Sequence, residues 1–237
     1  MVNVDKKRIP WRNEIKYVCL ETQMLEIQRR VDVICGLDAH TGDGDRYTVR
    51  SLYFDDLDNS AYYENEMGVD MRQKYRIRLY NGDADRLTLE RKTKRNGKTF
   101  KESTALSREI CEDILEGAWL CENVGRMPPL LQEFYLEYRT KLLRPKVIVE
   151  YERIPYIYET GNVRVTFDRN ISASVNVDDF LEQCLTTRPV MPAGQHVLEV
   201  KFDKLIPDHI QNALSGEKLV QTAFSKYYLC RKICGGI

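Results

Sequence analysis

Apolar and polar residues alternate through much of this chain, the pattern of strands with one face turned to a core. In RQKYRIRLY, residues 72–80, Arg72, Lys74, Arg76 and Arg78 fall on one side, and Gln73, Tyr75, Ile77 and Leu79 on the other. The same period runs through LTLERK, where Thr88, Glu90, Lys92 and Lys94 share a face, and through VRVTFD, where Arg164, Thr166 and Asp168 do. LEVKF pairs Glu199 with Lys201, and NEIK pairs Glu14 with Lys16. About nine strands are predicted, over 13–18, 47–55, 71–80, 86–94, 98–102, 146–155, 162–168, 172–177 and 196–202. Asn81-Gly82-Asp83 and Asn96-Gly97 mark tight turns between them.

Helical periods are fewer. Thr22–Cys35 carries Met24, Ile27, Gln28, Val31 and Ile34 on one stripe. Ser107 reads as an N-cap, with Ile110, Ile114, Leu115 and Ala118 behind it. Residues 128–143, 208–214 and 217–233 complete the set. Helices can therefore cover one face of the sheet. The other face is not the usual solvated mixture but long cations with sparse glutamates. Like charges side by side on strands repel, so that face needs a reason to exist. A sheet curled into a barrel turns it inward. The prediction is one α+β domain over residues 1–237, an antiparallel β-barrel tunnel flanked by helices, with a cationic lumen.

Charge sharpens this reading. Lys plus Arg and Asp plus Glu both number 36. Between Arg72 and Lys101, however, eleven cations face three carboxylates, leaving the remainder of the chain net acidic. A concentrated positive field calls for an anionic partner. Arginine forks match phosphate oxygens, and lysine acts on them as a point charge. The few glutamates suit a divalent metal bridging phosphates. No apolar run approaches the roughly 18 residues of a membrane span. The first twelve residues are polar and basic, unlike a secretory signal, and a cytoplasmic protein is expected. Seven scattered cysteines without a Cys-x-x-Cys pair read as free thiols.

Eight segments in order, NEIKY, YTVRSLYFDD, KYRIRLY, LERKTKRNGKTFKES, VEYERIPY, VRVTFDRNI, LEVKF and FSKYYL, resemble the polyphosphate polymerase domain of the vacuolar transporter chaperone family, within the triphosphate tunnel metalloenzymes. The resemblance spans about Asn13 to Leu229. It implies a barrel tunnel in which a nucleotide's terminal phosphate passes to a growing polyphosphate chain with Mn²⁺ or Mg²⁺. It assigns Arg76, Arg78, Lys92, Arg153, Arg164 and Lys226 to catalysis. Lys16, Lys101, Tyr151 and Ser225 would bind substrate, joined by the lysines Lys74 and Lys201 on the same faces. Glu199 would bind metal, with Glu90 and Glu14 as further carboxylates. ATP and polyphosphate are the implied partners.

Two other functions use the same lumen: a triphosphatase passing the phosphoryl group to water, and a polyphosphate or inositol phosphate module that binds without turnover. Gly97-Lys98-Thr99 lacks the earlier glycine of a P-loop, where Lys92 stands instead. Gly42-Asp43-Gly44-Asp45 and Asp55-Asp56-Leu57-Asp58 lack the spacing of a calcium loop and read as turns or helix caps. His40, His196 and His209 have no ligand spacing, and His196 is expected at the surface or supporting the LEVKF strand. Tyr75 and Tyr80 read as lying on or near the apolar face, so nucleic acid, which needs aromatics among exposed cations, is not an expected partner.

Overall fold

The structure, a computed structural model, describes residues 11–41, 44–215 and 219–235. The expected basic N-terminus up to residue 10, the Gly42-Asp43 pair and the start of the 217–233 segment lie outside these. Ten strands of the described residues form one antiparallel sheet: β1 (Asn13–Leu20), β2 (Gly36–Leu37), β3 (Tyr47–Asp55), β4 (Arg72–Tyr80), β5 (Leu87–Arg95), β6 (Lys98–Leu106), β7 (Arg144–Tyr158), β8 (Val163–Ser174), β9 (Arg188–Pro189) and β10 (Gln195–Phe202). The hydrogen-bonded order is β1-β10-β8-β7-β3-β4-β5-β6, with β2 on β7 and β9 on β8. The sheet curls until its outer strands meet. Arg12, just before β1, exchanges two 2.9 Å backbone hydrogen bonds with Thr99 of β6.

Among the described residues six α-helices accompany the sheet: α1 (Glu21–Ile34), α2 (Ser60–Glu66), α3 (Arg108–Leu115), α4 (Pro129–Thr140), α5 (Asp208–Leu214) and α6 (Lys226–Ile233). Two apolar clusters cover the outer face. Leu52, Phe54, Ile77, Leu79 and Leu89 pack against Cys111 and Ile114 of α3 and Phe134 and Tyr138 of α4. Phe167, Val165, Leu198 and Val200 pack against Met24, Ile27 and Val31 of α1 and Ile210 of α5. A third cluster lies on the inner face, where Val49, Val147, Val149 and Val197 meet Tyr227 and Cys230 of α6. Thus α6 fills one end of the barrel, and the valines replace cations only beneath it.

Local chemistry explains the joints. Asn96 and Gly97, at φ 51° and 71°, make the two-residue turn from β5 to β6. The Ser107 hydroxyl accepts from the Ile110 amide, as its N-cap position predicts. Asp55 accepts from the Ala61 and Tyr62 amides at the start of α2, so the Asp55-Asp56-Leu57-Asp58 cluster is a helix cap. Helix α2 itself escaped prediction because SAYYENE carries too short a stripe. The short β2 and β9 escaped because two residues show no period.

One division was wrong in an instructive way. The strands expected over 162–168 and 172–177 are a single strand, β8. Asn170, at φ 52°, sits beside a register shift against β7. This bulge reverses the inward parity from Thr166 and Asp168 to Ile171 and Ala173, which the alternation alone reads as a break. The segment from 217 is helical only from Lys226 onward. His196 is not at the surface: it is 4% exposed, on the outer side of β10, with its Nε2 against the Glu21 carboxylate. All seven cysteines are free thiols.

A cationic lumen as candidate active site

The curled sheet encloses a cavity of about 630 Å³, and the polar faces line it. Strand β4 contributes Arg72, Lys74, Arg76, Arg78 and Tyr80; β5 contributes Lys92 and Lys94; β6 contributes Thr99, Lys101 and Ser103. Across the lumen stand Glu14 and Lys16 of β1, Glu199 and Lys201 of β10, Arg164 and Thr166 of β8, and Tyr151 and Arg153 of β7. Ser225 and Lys226 enter from the start of α6, where the Ser225 hydroxyl accepts from the Tyr228 amide. Thirteen Lys and Arg side chains line the wall against three carboxylates, Glu14, Asp38 and Glu199. Every expected site residue except Glu90 faces this cavity. Glu90 lies just beneath the wall, 2% exposed.

Two buried carboxylates organise the arginines. Asp168, fully buried, accepts two bonds from Arg153 at 2.7 and 2.8 Å and one from Lys226 at 2.5 Å. Glu90 accepts from Arg76 at 2.7 Å and Lys101 at 2.9 Å, with Arg78 at 3.5 Å. Tyr53 accepts a further bond from Arg76 at 2.9 Å. Burial alone would raise both acids, but their cations outweigh it and hold both below the usual carboxylate range, Glu90 far below. The guanidiniums of Arg76 and Arg153 are held firmly charged in return, against burial, first by Glu90 and Asp168 respectively.

The lumen carboxylates are bound the same way. Glu14 meets Lys92 at 2.7 Å and Lys16 at 2.9 Å, and accepts from Thr99 at 3.3 Å. Glu199 contacts Lys201 and stands 3.9 Å from both Lys16 and Arg153. Burial opposes ionisation of both Glu14 and Glu199, and the Glu199 charge further opposes that of Glu14. The surrounding lysines nevertheless keep both well below the normal value. Glu14 and Glu199 are brought together, whereas Glu90 remains with its own three cations. Among the described residues no group of three or more His, Cys, Asp or Glu converges on a metal position.

A different state prevails at the α6 end. Arg72, Lys74 and Lys94 form no ion pair among the described residues. Lys74 donates only to neutral oxygens, Asn65 Oδ1 at 2.8 Å and Ser225 Oγ at 3.2 Å. Burial, then Arg72, Lys92 and Lys16, lowers the Lys74 pKa to about 7. Burial also lowers Lys92, against the pull of Glu14.

Sequence reasoning missed Asp168 as the anchor of Arg153 and Lys226, although the alternation of VRVTFD already placed it on the lumen face. It missed Asp38, 3.7 Å from Arg164, because a loop brings it there. It also misplaced Tyr80. As the fifth alternate residue of β4, Tyr80 shares the cations' face, lines the cavity and is 37% exposed. No helix is long and apolar enough to cross a membrane among the described residues.

A sequence profile of the VTC domain matches residues 11–234. No curated protein matches the chain. Among solved structures, a protein of Pyrococcus horikoshii OT3 is 14% identical, with a TM-score of 0.48 over 94% of this chain and 99% of that one. A proposed adenylate cyclase of Bacillus halodurans is 15% identical, with a TM-score of 0.48 over 85% of this chain and 86% of that one. Another, of Vibrio parahaemolyticus, is 11% identical, with a TM-score of 0.45 over 86% and 82%.

Proposed function

This chain belongs to the VTC domain family, and from that premise we propose that it is a phosphotransferase which extends inorganic polyphosphate from a nucleoside triphosphate. One observation carries the reading: the lumen gathers thirteen cations, while each of its glutamates is tied to ammonium or guanidinium groups and held ionised. A carboxylate so depressed is a poor general base for water. Phosphoryl transfer to an acceptor that is already an anion needs no such base. It needs alignment and charge stabilisation, which fixed guanidiniums supply.

In this reading an oxygen of the acceptor's terminal phosphate forms a bond to the donor's γ-phosphorus. The bond from that phosphorus to the β–γ bridging oxygen breaks, and nucleoside diphosphate leaves with the electron pair. No proton moves. Arg76 and Arg153, oriented by Glu90 and Asp168, would hold the transferring group, with Arg78 and Lys226 beside them. Lys16, Lys92 and Lys201 would line the path of the chain, and Arg164 and Lys101 the mouth.

The residues fit a divalent ion of the Mn²⁺ or Mg²⁺ kind. Glu14 and Glu199 are ionised oxygen donors on neighbouring strands, and such ions are commonly held by one or two carboxylates plus substrate phosphates. When bound, the metal would neutralise developing charge on phosphate oxygens.

The test is incubation of purified protein with ATP and Mn²⁺, with polyphosphate and free phosphate quantified separately. Long chains are expected. Free phosphate without chains would assign the lumen to hydrolysis. Binding of tripolyphosphate with neither product would make it a binding module.

A further inference from the structure

Tyr47 and Tyr80 stand at the mouth of the lumen away from α6, the first inward residue of β3 and the last of β4. Their rings meet edge to face, with centroids 5.5 Å apart and planes at 77°. The Arg78 guanidinium lies 5.8 Å from the Tyr80 ring centroid, and its Nη1 donates to the Tyr80 hydroxyl at 3.4 Å. Tyr80 keeps an open face, at 37% exposed. Near the other end, Tyr53 and Tyr227 are buried against each other at 5.3 Å, and the Phe224 ring just before α6 is half-buried in the lining.

The two mouths also differ in charge. At the Tyr47–Tyr80 mouth the half-exposed cations already have partners: Arg164 stands 3.7 Å from Asp38, and Lys101 2.9 Å from Glu90. At the α6 end, Arg72, Lys74 and Lys94 form no close ion pair among the described residues, and Asp70, Glu14 and Asp55 reach them only at longer range. One mouth offers an aromatic surface with its cations in close ion pairs, and the other offers cations whose close contacts are to neutral oxygens. An inorganic phosphate chain has no use for a ring. A nucleotide has a base to place.

Resting on the polymerase reading of this lumen, we propose that Tyr80, braced by Tyr47, is the stacking platform for the donor's nucleobase. The nucleotide then lies with its base at this mouth and its triphosphate running inward along β4, past Arg78 to Arg76. Alternate residues of a strand are about 7 Å apart, so Tyr80 to Arg76 spans ~14 Å, enough for an extended nucleotide with its terminal phosphate near the Arg76 and Arg153 guanidiniums. The acceptor chain enters from the α6 end, across Arg72, Lys94 and Lys74. Stacking takes any base, so the platform selects nucleotides from inorganic phosphates without reading hydrogen-bond patterns.

The test compares adenosine imidotriphosphate, which the enzyme cannot cleave, with inorganic tripolyphosphate by calorimetric titration of the whole chain. Tyr80→Ala is expected to weaken the nucleotide analogue about 10-fold, within the roughly 5- to 150-fold that stacking supports. Tripolyphosphate affinity should stay within about twofold. Tyr80→Phe, which keeps the ring and loses only the hydrogen bond from Arg78, should bind both ligands like the wild type, and Tyr80→Trp at least as tightly. Equal loss for both ligands in Tyr80→Ala, no loss for either, or a Tyr80→Phe or Tyr80→Trp as weak as Tyr80→Ala each overturns the platform. If the wild type makes polyphosphate from ATP while Tyr80→Ala keeps analogue affinity, only the platform falls. If the wild type makes none, the polymerase reading itself fails.

Discussion

The two halves of the lumen handle the same charge in opposite ways. Toward the middle, arginines sit on buried carboxylates: Arg76 on Glu90 and Arg153 on Asp168, with bonds of 2.7 to 2.8 Å. Toward α6, Arg72, Lys74 and Lys94 face the cavity without a close ion pair among the described residues, and Asp70, Glu14 and Asp55 act on them only at longer range. A paired arginine is fixed in direction and in charge, since its carboxylate occupies one side of the fork and leaves the other for a ligand. A buried lysine without a close carboxylate is held less firmly in charge: it can lose its proton. The first arrangement suits a transition state, where geometry is everything. The second suits a chain that must be gripped and then let slip.

The comparison breaks first at Arg76. Arg76→Ala should lower turnover by at least about 10³-fold, the scale of a phosphate-stabilising arginine, without unfolding the chain, because Lys101 and Arg78 remain to neutralise Glu90. Circular dichroism and a polyphosphate assay decide it; near-normal turnover in a folded variant removes the paired sector from catalysis. Arg78→Ala should behave alike. The next effect is on folding. Asp168 is fully buried under Arg153 and Lys226, so Asp168→Asn strands two cations. It should cost about 3–5 kcal/mol of stability, read by denaturant unfolding. A loss under about 1 kcal/mol, the range of exposed pairs, would mean the clamp is not structural.

Why the paired sector was half visible in the sequence follows from its geometry. The period of two in RQKYRIRLY, LTLERK and VRVTFD fixes which residues share a face, and that was enough to place Arg76, Arg78, Lys92 and Arg164 in one lumen, whereas Arg153 was assigned only through the family resemblance. It also placed Glu199 and Glu14. What a period cannot show is which residues meet across strands. Glu90 reads as another lumen carboxylate, yet register brings it opposite Arg76, where it is consumed as a brace. Asp168 becomes the anchor of Lys226 only because α6 returns through the barrel end, 58 residues later in the chain. The bulge at Asn170 reversed parity and hid the length of β8. Tyr80 was lost to an error of parity and not to any lack of signal.

The metal reading separates the sectors in another way. Glu199 is ionised and lies near Glu14 on the wall shared by β1 and β10. Glu199→Gln removes charge but little volume. It should raise the Mn²⁺ concentration for half-maximal synthesis by about 10-fold or more, while Glu90→Gln should not shift that concentration. A metal titration of both variants checks this, and equal shifts would remove the distinction between a brace and a ligand.

The smallest effect tests the unpaired sector alone. Lys74 has its pKa lowered to about 7, chiefly by burial and then by Arg72, Lys92 and Lys16. The charged form is the one an anion attracts. Below pH 7 Lys74 is already charged and ligand binds at no protonation cost. Above it, binding must first return a proton, so tripolyphosphate affinity should fall as pH rises through about 7, by up to ~10-fold per unit for one proton. Arginine stays charged throughout, so Lys74→Arg should flatten this part of the profile. Protonation of the ligand and of Lys92 is common to both proteins and cancels in their difference. Calorimetry in two buffers of unlike ionisation enthalpy gives the proton count directly: uptake near pH 8 in the wild type, less in Lys74→Arg. Superimposed profiles would show that Lys74 is charged before the ligand arrives, and the two sectors would then differ in geometry but not in protonation.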